Sequence, residues 1–194
     1  MKAYHILPDD YRIIFAVDLQ KDKKLLLLIN SIAVIIGIIL AVPMHFRVSI
    51  ANLFDMESGI GAYFIRFSVL VLGLIAYIFL HELVHGITMK LCGTNKVKYG
   101  FTGIYAYAGS DDYYNKSGYV AIALAPVVIW GIILAIINVF VPIEWFWVVY
   151  IIQISNISGA AGDFYVTYKF MKFPNNILIK DSGVGMEVYS NKSL

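Results

Sequence analysis

The chain has 194 residues, enough for one domain, and a formal net charge of +2. Apolar residues make up 60%, charged residues 14%, and mean hydropathy is +0.75, against about 45–50% apolar and about 25% charged in soluble domains. This balance excludes an ordinary soluble domain, and so small a net charge offers no footing for a nucleic-acid partner.

Residues 1–24, MKAYHILPDDYRIIFAVDLQKDKK, stay polar for too long to be a signal peptide, and no small-residue cleavage site follows a short apolar core. Every segment is expected to remain in the mature chain. Cys92 has no partner cysteine, so the fold cannot depend on an internal disulfide.

A bilayer core asks for about 20 mostly apolar residues per helix. Four stretches meet that: residues 25–44, 65–91, 119–141 and 145–170. Pro43 and Pro142 sit near span ends, where proline is tolerated, while Pro126 lies inside the third span and is expected to kink it. Basic residues mark the cytoplasmic side. They gather before span one (Lys21, Lys23, Lys24), between spans two and three (Lys90, Lys96, Lys98, Lys116) and after span four (Lys169, Lys172, Lys180). Both termini are therefore expected in the cytoplasm, with Trp145, Phe146 and Trp147 at the outer interface. The expected fold class is mainly α: one integral membrane domain over 1–194, with four transmembrane helices and a small cytoplasmic β element. The β element is read from KVKYGFTGIYAYAG, whose alternating aromatics fit a strand bent at Gly100 or Gly103. It reads as a surface ribbon, or as an edge strand that pairs with an extended peptide. The tail NNILIKDSGVGMEVY reads as strand, turn and strand.

Span two contains FLHELVHGITMK. Ionisable side chains in a bilayer are expensive and are retained where they function. On a helix, His81 and His85 share a face one turn apart. That spacing lets two imidazoles bind one zinc ion (Zn2+), with the intervening Glu82 as general base. A catalytic zinc usually takes a third protein ligand and keeps one open position. Asp163, the only carboxylate in span four, is the candidate, set among the small residues Ser158 to Gly162. At 1.5 Å per residue, His85 lies about 7 Å, His81 about 13 Å and Asp163 about 9 Å from the nearest basic end. All three therefore fall at similar depth in the inner leaflet. Asp111 and Asp112, in the loop before span three, are the runner-up third ligands. Cys92 reads as an inert apolar residue, and His5 and His45 fall far from the site.

His81-Glu82-Leu83-Val84-His85-Gly86 in a membrane helix, IALAPVV at 122–128 and the stretch Asn156 to Asp163 together resemble the small bacterial membrane proteins grouped as putative zincin peptidases. More distantly, they resemble the site-2 intramembrane proteases. The first resemblance covers about residues 60 to 190, with H-E-x-x-H as its specific part. It implies a prokaryotic cell membrane, and the site-2 resemblance implies Asp163 as third zinc ligand and Asn156 as a contact to substrate backbone. The chain departs from the site-2 pattern in having Gly162-Asp163-Phe164 for Leu-Asp-Gly and glycine at position 159.

These residues lead to the expectation of a zinc-dependent, membrane-embedded endopeptidase that cuts a membrane-associated protein or peptide near the cytoplasmic face. Ser155 and Ser158 are weaker candidates for the substrate contact. The alternatives are a non-catalytic membrane scaffold retaining a protease-like zinc site, or a small metal-handling transporter. An intact Glu82 speaks against the scaffold. Polar groups gathered at one depth, rather than spread along several spans, speak against the transporter.

Overall fold

A computed structural model describes residues 2–18, 21–103 and 105–191. The chain is mainly helical. Two strands, β1 (Ala3–Tyr4) and β2 (Arg12–Asp18), precede helix α1 (Lys23–His45). A short 3-10 turn (Ile50–Phe54) leads to α2 (Ile60–Leu91), followed by β3 (Lys98–Phe101), β4 (Ala106–Gly109) and β5 (Tyr113–Asn115). Helices α3 (Lys116–Phe140), α4 (Ile143–Gly159) and α5 (Ala161–Met171) come next, then strands β6 (Leu178–Asp181) and β7 (Gly185–Ser190).

Local chemistry sets the helix ends. Asp22 caps α1, its Oδ1 accepting the N–H of Leu25 at 2.9 Å. Asn115 caps α3, its Oδ1 accepting from Gly118 at 3.2 Å. Helix α2 stops at Gly93, whose φ of 105° suits glycine. There Gly93 N–H bonds to Lys90 O and Thr94 N–H to Met89 O, the paired closure of a Schellman motif.

Helices α1, α2 and α3 are long and apolar enough to cross a membrane. Many of their side chains, such as Leu27, Val34 and Ile39 on α1, are exposed despite being apolar, as lipid contact requires. The stretch 145–170, expected as one span, is instead two helices meeting at Ala160. Gly159 and Gly162 flank that break, and glycine is the weakest ordinary residue in a helix interior. The 97–107 stretch forms the β3–β4 hairpin, with Gly103 at φ 90° in its loop. The tail forms the β6–β7 hairpin.

The chain divides into two compact units. Unit one holds residues 1–29, 81–126 and 162–194, and unit two holds 30–80 and 127–161. Unit one contains a five-stranded antiparallel sheet in the order β1-β5-β6-β7-β2, and separately the β3–β4 hairpin. Strands β1, β2 and β5 in this sheet were not foreseen from the sequence. The core of unit one packs Met89 and Cys92 against Tyr119, Ile122, Phe170 and Ile179. Unit two is centred on Leu53, Leu70, Trp147 and Val148. The indole of Trp147 donates to Val48 O at 3.0 Å.

Candidate metal centre

Helix α2 delivers His81, Glu82 and His85 to unit one on consecutive positions and one turn, as 3.6 residues per turn dictates. The Nε2 atoms of His81 and His85 lie 3.2 Å apart. Asp163 stands in the first turn of α5, where the positive end of the helix favours a carboxylate. Its Oδ2 is 3.6 Å from His81 Nε2, and its Oδ1 is 3.7 Å from His85 Nε2. A Glu82 oxygen completes a group with the two imidazoles, all within 4.8 Å of one another. The side chains of His81 and His85 keep only 12% and 11% of their surface, and that of Asp163 22%.

The other ring nitrogen of His85 settles its chemistry. His85 Nδ1 lies 2.9 Å from the carbonyl oxygen of Ile122 on α3. A carbonyl only accepts, so Nδ1 carries the hydrogen. With the hydrogen on Nδ1, Nε2 is the nitrogen that faces His81 and Asp163. Donor atoms that face one another in a nearly dry site need a shared cation or proton between them.

The donor set fits zinc. Nitrogen and oxygen ligands about 2.0–2.2 Å from a tetrahedral ion stand roughly 3.3–3.5 Å from each other. The distances of 3.2, 3.6 and 3.7 Å bracket that edge. The Nδ1 hydrogen bond to a backbone carbonyl is the usual outer support of a metal-binding histidine.

The β3–β4 hairpin borders the same helix face. Tyr99 on β3 places its phenol against Gly86, and the backbone of Ala108 on β4 faces the Glu82 carboxylate. Burial, and then the nearby Glu82 charge, push the Tyr99 phenol up. Asp181, at the end of β6, is a further carboxylate in electrostatic reach of His85 and Asp163. It accepts from Tyr119 OH at 2.7 Å through Oδ2 and from Gly183 N–H at 2.8 Å through Oδ1. Burial raises Asp181 above the usual carboxylate range against the lowering effect of those two bonds. The tail pattern reads as a strand at this position, but it carries no sign that the last carboxylate comes within electrostatic reach of His85.

The remaining candidates are engaged elsewhere. Asp111 binds Lys98 Nζ at 2.6 Å and Asp112 binds His5 Nδ1 at 2.9 Å. Cys92 is buried. Asn156 belongs to unit two and is fully buried. Its Oδ1 accepts from Tyr77 OH at 2.9 Å, and its Nδ2 donates to Val127 O at 3.1 Å.

No curated protein matches this chain. No solved structure matches it either. A family model does match, over residues 74–178, more than half of the chain and including His81, Glu82, His85 and Asp163. The chain belongs to the family described as Putative zincin peptidase.

Proposed function

We propose that this protein is a zinc-dependent membrane endopeptidase that hydrolyses a peptide bond of a membrane-associated protein near the cytoplasmic face. The observation that carries this reading is the meeting of His81, His85 and Asp163, with Glu82 beside them. Zinc, when bound, polarises a scissile carbonyl and acidifies water. His81, His85 and Asp163 would hold it. Glu82 accepts a proton from the attacking water and returns it to the amine nitrogen as the C–N bond breaks. Asn156 is proposed to contact substrate backbone, with its carboxamide orientation fixed by Tyr77 and Val127. The partners are the bilayer and a membrane-protein or peptide substrate, in a manner similar to site-2 proteases.

The sheet supports the topology. Strand β2 precedes α1, β5 lies between α2 and α3, and β6 and β7 follow α5, yet all join one sheet. Open sheet edges do not occur in lipid, which favours one side of the bilayer for all of these segments. Helices α1 and α2 then make one outward and one return pass. Helix α3 makes the next outward pass, and α4 with α5 brings the chain back. This favours four crossings with both termini on one face. The lysines flanking that face favour the cytoplasm.

The test is zinc content of the detergent-purified chain for wild type, His81→Ala and Asp163→Ala. About one zinc per chain, lost in both variants, is expected from a three-ligand site. Retention in Asp163→Ala would move the third ligand elsewhere. No zinc in the wild-type chain after zinc is supplied would sink the hydrolase and leave a scaffold.

A further inference from the structure

The carbonyl that holds His85 is not an ordinary helix carbonyl. In an α-helix, the N–H of each residue bonds to the carbonyl four positions earlier. For Ile122 that donor would be residue 126. Position 126 is proline, inside α3, and proline has no N–H. Ile122 O is therefore released from the helix ladder at the position where His85 Nδ1 approaches to 2.9 Å. Ile122 is 1% exposed, so water does not serve that oxygen. A buried carbonyl without a donor is costly, so the structure around it must supply one.

We propose that Pro126 is a positioning residue for the metal site. By withholding a backbone N–H, it reserves Ile122 O for His85. That bond fixes the hydrogen on Nδ1 and aims Nε2 at His81 and Asp163. The kink expected of this proline is then secondary to the acceptor it frees. A helix with a competing N–H at 126 would share Ile122 O between two donors, and His85 would lose its fixed tautomer and ring plane. The inference rests on the zinc reading of the site.

The test measures zinc affinity, with a chromophoric chelator as competitor, on the full chain in detergent. Three proteins are compared: wild type, Pro126→Ala, and a chain with lactic acid at position 126 installed by nonsense suppression. The lactic acid makes an ester, which lacks an N–H as proline does but has no ring. Pro126→Ala is expected to weaken zinc binding about 10–100-fold, the usual loss when an outer support of a ligand is disturbed. Its metal-free thermal stability should hold or rise, because alanine is the better helix former. The ester chain should bind zinc as wild type does. Wild-type affinity in Pro126→Ala overturns the inference and leaves the peptidase reading standing. An ester chain that binds as poorly as the alanine chain also overturns it, because the ring and not the missing N–H would then matter. Should the alanine chain fail to fold, the ester decides alone: retained affinity supports the inference and lost affinity overturns it. If wild type binds no zinc, this inference falls together with the peptidase reading.

Discussion

The phenol of Tyr99 fills the space that a β-carbon at position 86 would need, so Gly86 is the contact point between α2 and strand β3. The glycine directly follows His85. Gly86→Ala is therefore expected to destabilise the chain by about 1–3 kcal/mol through overpacking. Tyr99 is half-exposed, so the strain should be relieved when it is truncated. In the Tyr99→Ala background the cost of Gly86→Ala should shrink, and a double-mutant cycle on thermal unfolding measures the difference. Equal costs in both backgrounds would mean that Tyr99 does not press on Gly86.

Glu82→Gln keeps the shape of the side chain and removes the base. Hydrolysis should fall by roughly 10²–10⁴-fold, the usual worth of a positioned proton acceptor. Zinc content should stay at the wild-type level, because His81, His85 and Asp163 are untouched. A fully active Glu82→Gln chain would remove Glu82 from the chemistry.

In unit two, Asn156→Ala removes the acceptor of one Tyr77 OH bond and a donor to Val127 O in a fully buried place. The loss is expected to be about 1–3 kcal/mol of stability. Tyr77→Phe should cost less, since it leaves only Asn156 Oδ1 unserved. Unfolding of the two variants in the same detergent gives the comparison. A harmless Asn156→Ala would show that neither bond stabilises the fold.

Asp181 makes stability depend on pH. Burial raises its carboxyl above the usual range. A raised carboxyl holds its proton more tightly in the fold than in the unfolded chain, where the value is about 3.9. Its contribution is complete below that unfolded value and is lost as pH rises through the folded one. Asp181→Asn cannot ionise, so its unfolding free energy should decline less than that of wild type over the same rise in pH. Parallel pH profiles for the two proteins would rule out Asp181 as the source.

The sequence carried the helices and the spacing of the site for simple reasons. Apolar runs of membrane length leave few alternatives to a helix, and residues 81 and 85 share a face on any α-helix. The break at Ala160 was harder to see, because one apolar run hides a local weakness made by two glycines. Strands β1, β2 and β5 escaped notice because each is short or mixed in character and gains its partner only from distant chain: Tyr4 pairs with Tyr113, and Asp18 with Gly185. Asp181 was invisible for the same reason. Its electrostatic reach to His85 and Asp163 depends on sheet register, which no local pattern encodes. The release of Ile122 O could be read from Pro126 alone, but its recipient, His85, could not.

Strand β2 lies at an edge of the five-stranded sheet, where its partner is β7, although α1 to α5 intervene between them in the chain. During translation β2 therefore waits with its backbone unpaired until residues 185–190 leave the ribosome. The sheet that carries Asp181 closes with the same late event. A chain stopped before β7 would hold its histidines on a finished helix but leave the sheet that carries Asp181 without two of its strand pairings. The layout thus ties completion of the sheet around Asp181 to the making of β7, well after the helix that carries His81 and His85.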